Sequence, residues 1–130
     1  IGADLKKNPR ILEAAYNDRA GVTAAFNLNL LERINRELDG DLDLDRFEHL
    51  GFYNEREGRI EIYIRSLSDQ EATIAGRRFG FAAGELIHTE YSYKYTVGEF
   101  RALAAQAGFR PVDTWTDPNQ LFSVHYFRQR

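Results

Sequence analysis

Cysteine and methionine are both absent from these 130 residues, and proline appears only three times. Without cysteine there is no disulfide framework and no thiolate metal site, a composition that fits a reducing cytoplasm, which is the expected location. The three histidines, His49, His88 and His125, stand far apart and form no ligand-spaced pair, so no metal site is expected. No apolar run approaches the ~18–20 residues that a membrane-crossing helix needs, and no membrane partner is expected. A basic excess is missing as well: the net charge is −3 and the Lys and Arg residues are scattered, which argues against nucleic acid as a partner. The chain opens on Ile1-Gly2-Ala3-Asp4, with no initiator residue and none of the regions of a signal peptide, so it reads as a piece of a longer protein. Glycine-rich phosphate loops and nucleophile elbows are missing too, so no catalytic residue is expected here and a self-contained enzyme is not.

What is present is the material of one globular domain. Hydrophobic residues make up 43% and charged residues 28% of the chain, and a chain of this size buries roughly two-thirds of its unfolded surface. PRILEAAYN reads as a short helix opened by Pro9. A longer helix is expected over residues 20–38, where Val22, Phe26, Leu30, Ile34 and Leu38 recur every four residues and Ala25 and Leu31 widen the stripe that should face the core. Asp39-Gly40 closes it, and Asp43 caps a single turn before a strand near LGFYN. RIEIYIRSL alternates, with Ile60, Ile62 and Ile64 on a buried face and Glu61, Tyr63 and Arg65 on a solvated one. EATIA and RRFGF flank Gly76 as a hairpin, and with the next strand they suggest an antiparallel meander. At Thr96 the sequence T-V-G-E is a capping box that starts a helix ending near Gly108. Two apolar strands joined at Asp117-Pro118-Asn119 finish the chain.

The stretch IHTEYSYKY, residues 87–95, alternates like a strand but is polar on both faces. His88, Glu90, Ser92 and Lys94 share one face; Thr89, Tyr91, Tyr93 and Tyr95 share the other. Glu90 and Ser92, two residues apart, project the same way and suit a heterocycle with one N–H and a second ring nitrogen. The same two residues also suit a solvated sheet face with no ligand. Tyr16, the only aromatic of its short helix, reads by pattern as a core-edge residue.

LEAAYNDRAGVTAAFNLNLLERINREL, followed by DLDRFEHLGFYN, RIEIYIRS, FAAGELIHTEYSYKY and WTDPNQLFSVHYF, resembles the C-terminal portion of the S-adenosylmethionine-dependent histidine-specific methyltransferases of ergothioneine biosynthesis. The resemblance covers essentially the whole chain. It implies an α/β protein: a substrate-binding α+β domain with antiparallel strands, plus the C-terminal helix and β-hairpin of a Rossmann-like methyltransferase fold. Residues 1–15 would leave the methyltransferase domain, 16–92 would form the substrate-recognition domain, and 93–130 would return to the first. S-adenosylmethionine is then the cofactor of the complete protein, bound mainly upstream of Ile1, so the segment alone is expected to be inactive. By position, Tyr16 matches the residue that contacts the amino-acid end of the substrate, and Glu90 with Ser92 matches the pair that holds the imidazole. Ile62 falls in the imidazole pocket, where the family's type member has methionine. The expected partner is a small amino acid, histidine, and the uncovered strands of the segment are expected to self-associate. A non-enzymatic small-molecule binding module and an interaction domain are the competing readings of the same residues.

Overall fold

The computed structural model describes residues 1–129, which form eight strands, three α-helices and one 3₁₀ turn. Strand β1 (Gly2–Asp4) leads into helix α1 (Pro9–Tyr16), which proline can open because a first turn does not use its missing N–H. Helix α2 (Val22–Glu37) follows, and the 3₁₀ turn at Leu44–Arg46 is capped by Asp43, whose side chain accepts from the Asp45 N–H. Next come β2 (Phe47–Asn54), β3 (Arg59–Ser66), β4 (Gln70–Ile74) and β5 (Arg77–Phe81). Ala75 and Gly76, both at positive φ, make the tight turn between β4 and β5 that matches the twist of the strands it joins. After β6 (Leu86–Tyr93), helix α3 (Val97–Gln106) begins on a complete capping box, in which Thr96 accepts from the Glu99 N–H and Glu99 accepts from the Thr96 N–H. Strands β7 (Phe109–Thr116) and β8 (Phe122–Gln129) close the chain, joined by a turn in which the Asp117 carboxylate accepts three backbone N–H groups.

The strands form three sheets, of order β1-β8-β7, β2-β3-β6 and β4-β5, so the fold is α+β. The expected meander is corrected here: β4 and β5 pair only with each other, and β6 returns to lie beside β3. Ile60, Ile62 and Ile64 are all buried, so β3 takes the central place with a neighbour on each edge, whereas Arg77–Gly80 of β5 are exposed. Glu61, expected on a solvated face, is 5% exposed. The Tyr63 hydroxyl donates to it at 2.6 Å, which allows a carboxylate to be buried on that side of the strand.

The chain divides into two compact units. The first comprises residues 1–12, 53–60 and 92–130, and the second residues 13–52 and 61–91. In the first, a directed hydrogen-bond chain runs through the buried His125. Ser123 Oγ donates to the Ala3 carbonyl at 3.0 Å, so it accepts from His125 Nε2–H at 2.9 Å, and Nδ1 is left to accept from Thr114 at 3.3 Å. Burial, the nearby Arg101 cation and the N-terminal amine lower the pKa of His125, in keeping with that neutral tautomer. In the second unit, Leu31, Leu42, Phe47, Ile64 and Ala72 form a closed apolar cluster, with Leu28 and Ile34 packed against it.

Of the apolar stripe expected to bury α2, Leu31 and Ile34 pack at the core, but most of the row lies away from it. Phe26 is 74% and Val22 66% exposed, Leu30 and Leu38 are also exposed, and the buried residues are Asn27 and Leu31. The packed face is therefore turned by one residue, about 100° of helix, from the stripe. Leu31 and Ile34 of the expected set make the contact together with Leu28, at a spacing of three. The exposed row faces a cleft.

Candidate functional site

The short link between α1 and α2 sets the mouth of this cleft. Gly21, at φ 70°, takes a left-handed conformation, and the Asp18 carboxylate accepts from the N–H groups of Val22 and Thr23 at 2.9 Å each. These bonds, that to Thr23 first, hold the Asp18 carboxyl below the usual carboxylate range. Val22, Phe26, Leu30 and Arg33 then descend one face of α2, with Thr23 and Asn27 beside them. Tyr16, at the end of α1, faces the same space, which β3 and β6 complete with Ile62, Thr89 and Glu90. The cleft measures about 520 Å³, within the range of small-molecule sites. It lies wholly in the second unit.

Buried polar bonds fix its walls. Asn27 Nδ2 donates one proton to the Tyr63 carbonyl and the other to His49 Nδ1, both at 3.0 Å. With Nδ1 accepting, His49 donates through Nε2 to the Tyr16 carbonyl at 2.9 Å. Asn17 adds a bond to the Gly51 carbonyl at 2.9 Å, and a Cβ on Gly51 would come within 3.3 Å of the Asn17 side chain. Helix α2, β2, β3 and the end of α1 are thus tied through one amide and one neutral imidazole. Asn27→Ala is expected to destabilise the protein by about 1–3 kcal/mol, because it leaves acceptors at His49 and Tyr63 unpaired in a buried place. A thermal melt would show this as a lowered midpoint, and an unchanged midpoint would contradict the assigned network.

Two charged side chains line the cleft, Arg33 and Glu90. The Arg33 guanidinium is engaged by Glu37 at 3.0 and 3.1 Å, and Arg33 with Arg36 holds the Glu37 carboxyl down to about 2. Glu90 is exposed in the cleft, and its carboxylate has no hydrogen bond or ion pair among the described residues. The arrangement offers a ligand an apolar wall, a tyrosine and one carboxylate that accepts hydrogen bonds. Among the described residues no group of three or more histidine, aspartate and glutamate side chains could hold a metal ion.

Of the four expected site residues, the structure brings Tyr16, Ile62 and Glu90 to this cleft. Ser92 belongs to the other unit and does not line it. Lys94, expected on the same face as Glu90 and Ser92, is buried with its ammonium paired to Asp4. Tyr91 and Tyr93 are exposed, with the Tyr91 ring against His88 and the Tyr93 ring beneath Arg59. The sequence reading missed Val22, Thr23, Phe26 and Asn27. The available signal was Asn27 itself, since an amide beside a four-residue apolar repeat marks two competing faces on one helix, and only one of them can be core.

The family model for histidine-specific methyltransferase, SAM-dependent, matches residues 1–129. The chain is 46% identical over 126 residues to a histidine N-alpha-methyltransferase of Mycolicibacterium smegmatis, covering 95% of this chain and 39% of that protein. It is 40% identical to the histidine N-alpha-methyltransferase of Mycobacterium tuberculosis, over 90% of this chain and 37% of that protein. Ergothioneine biosynthesis protein 1 of Neurospora crassa is 30% identical over 96% of this chain, which corresponds to 14% of its own length. The chain therefore spans well under half of the curated relatives it matches.

Proposed function

Because the chain belongs to the SAM-dependent histidine-specific methyltransferase family, we propose that it is the substrate-recognition part of an S-adenosylmethionine-dependent histidine N-methyltransferase serving ergothioneine biosynthesis. The observation that carries this reading is the single cleft in which Tyr16, Ile62 and Glu90 meet. In it the Glu90 carboxylate accepts the ring N–H of histidine, Ile62 packs against the imidazole, and Tyr16 contacts the amino-acid end. Residues 1–15 and 93–130 then belong with the methyltransferase domain and 16–92 with substrate recognition, in a cytoplasmic protein.

The bound cofactor would supply an electrophilic methyl group for the α-amine. The described residues do not fit it. Neither longer helix presents an unoccupied N-terminus, since Asp18 caps α2 and Thr96 with Glu99 caps α3, and no glycine-rich strand–loop–helix is present. Cofactor binding is therefore assigned elsewhere, and these residues contribute orientation: they fix the ring so that the α-amine is held in one direction. Calorimetric titration of the full-length gene product with histidine tests the reading. Saturable binding of histidine, with methylated histidine formed when the cofactor is added, is expected. A protein that binds no histidine would refute it.

A further inference from the structure

His49 does not line the cleft, yet its ring joins two residues that do, Asn27 and Tyr16. The bonds run one way. A carbonyl stands at each end of the chain, at Tyr63 and at Tyr16, and a carbonyl only accepts. The Tyr63 carbonyl fixes which end of the Asn27 amide points inward, so the group that His49 Nδ1 meets at 3.0 Å is the Nδ2 donor. Nδ1 must therefore accept, which leaves the ring proton on Nε2, and Nε2 donates to the Tyr16 carbonyl at 2.9 Å. All four residues belong to the second unit, as does the cleft.

Tyr16 needs this partner because it is the last residue of α1, where helix carbonyls have no intrahelical N–H to accept from. Asn17 ties the same helix end again, donating to the Glu13 carbonyl at 3.1 Å and to the Gly51 carbonyl at 2.9 Å. His49 and Gly51 lie two residues apart on β2, so the end of α1 is fixed to one strand at two points. The Tyr16 backbone is thus held from β2 while its side chain faces the cleft. We infer that His49 is a positioning residue for the substrate, acting through the Tyr16 carbonyl to set where the Tyr16 side chain meets the amino-acid end of histidine. The inference rests on the histidine site proposed above, in which Glu90 and Ile62 serve the ring. It separates the two ends of the ligand: His49 governs the amino-acid end, and the ring contacts do not depend on it.

Dissociation constants measured by calorimetry on the full-length gene product, with histidine and with 4-methylimidazole as a ring-only probe, test this. His49→Asn keeps an acceptor for Asn27 but is too short to reach Tyr16. It is expected to weaken histidine about tenfold, the value of one oriented hydrogen bond, and 4-methylimidazole by less than about twofold. His49→Gln, whose longer amide carries an acceptor and a donor, is expected to recover most of the histidine affinity. In a Tyr16→Ala background, His49→Asn should cost nothing further. Nitrogen-15 spectra of the wild-type protein add a readout that needs no variant to fold, and should show the His49 ring neutral with its proton on Nε2. Equal losses for the two probes, multiplying losses in the double variant, or a His49 proton on Nδ1 would overturn this inference and leave the histidine site standing. A wild-type protein that binds no histidine would overturn both.

Discussion

Glu90→Ala is expected to raise the dissociation constant for histidine by about ten- to a hundredfold, or roughly 1–3 kcal/mol. Among the described residues the carboxylate is the only anionic side chain lining the cleft, where it is exposed and Arg33 is the one other charged group. Its loss removes a charge-assisted hydrogen bond to the ring N–H and leaves that donor facing Ile62 and Phe26, which accept nothing. Tyr91→Phe is the matched control. Tyr91 adjoins Glu90 in sequence, does not line the cleft, and keeps its ring against His88 when the hydroxyl is removed. Its affinity should stay near wild type. Dissociation constants for the two variants decide the matter, since equal losses at positions 90 and 91 would mean that the cleft is not where the ring binds.

Ile64→Ala should destabilise the protein by about 2–5 kcal/mol, the range for truncating a fully buried aliphatic side chain whose site cannot collapse. Ile64 is 0% exposed and sits in the cluster with Leu31, Leu42, Phe47 and Ala72, to which helix, turn and strands all contribute. Phe26→Ala removes a larger apolar side chain from the same unit, yet it should change stability by less than about 1 kcal/mol, because Phe26 is 74% exposed. Denaturant unfolding of the two variants separates core from cleft wall. A Phe26→Ala loss as large as that of Ile64→Ala would mean that the stripe is core after all.

Much of the chain's local order can be read directly from its residues. Pro9 opens α1, the T-V-G-E box starts α3, Asp43 caps its turn, and Ala75-Gly76 folds β4 onto β5. Each of these depends on contacts within a few residues, so sequence spacing is sufficient to find them. The face of α2 was not legible in the same way. Its apolar residues satisfy two stripes, Val22–Phe26–Leu30 and Leu28–Leu31–Ile34, and periodicity alone gives no reason to bury the second. The choice follows from Asn27, which reaches the Tyr63 carbonyl and His49 only when its own side of the helix faces the sheet.

The candidate site divides along the same line. Residue type and spacing pointed to Glu90 and Ser92, and the ordered segments carried a family resemblance that added Tyr16 and Ile62. What the sequence by itself determined is therefore the set of elements, their caps and turns, and the family to which they belong. Only the tertiary structure decided which side of α2 is open, that Glu61 and Lys94 are buried with partners, and that Ser92 is held as an acceptor by an ammonium while Glu90 lines a cleft. The reason is that caps and turns are set by neighbours in the chain, whereas burial of a charge depends on a partner far away in sequence. Asp4 stands 90 residues before Lys94, and no local pattern announces that pairing.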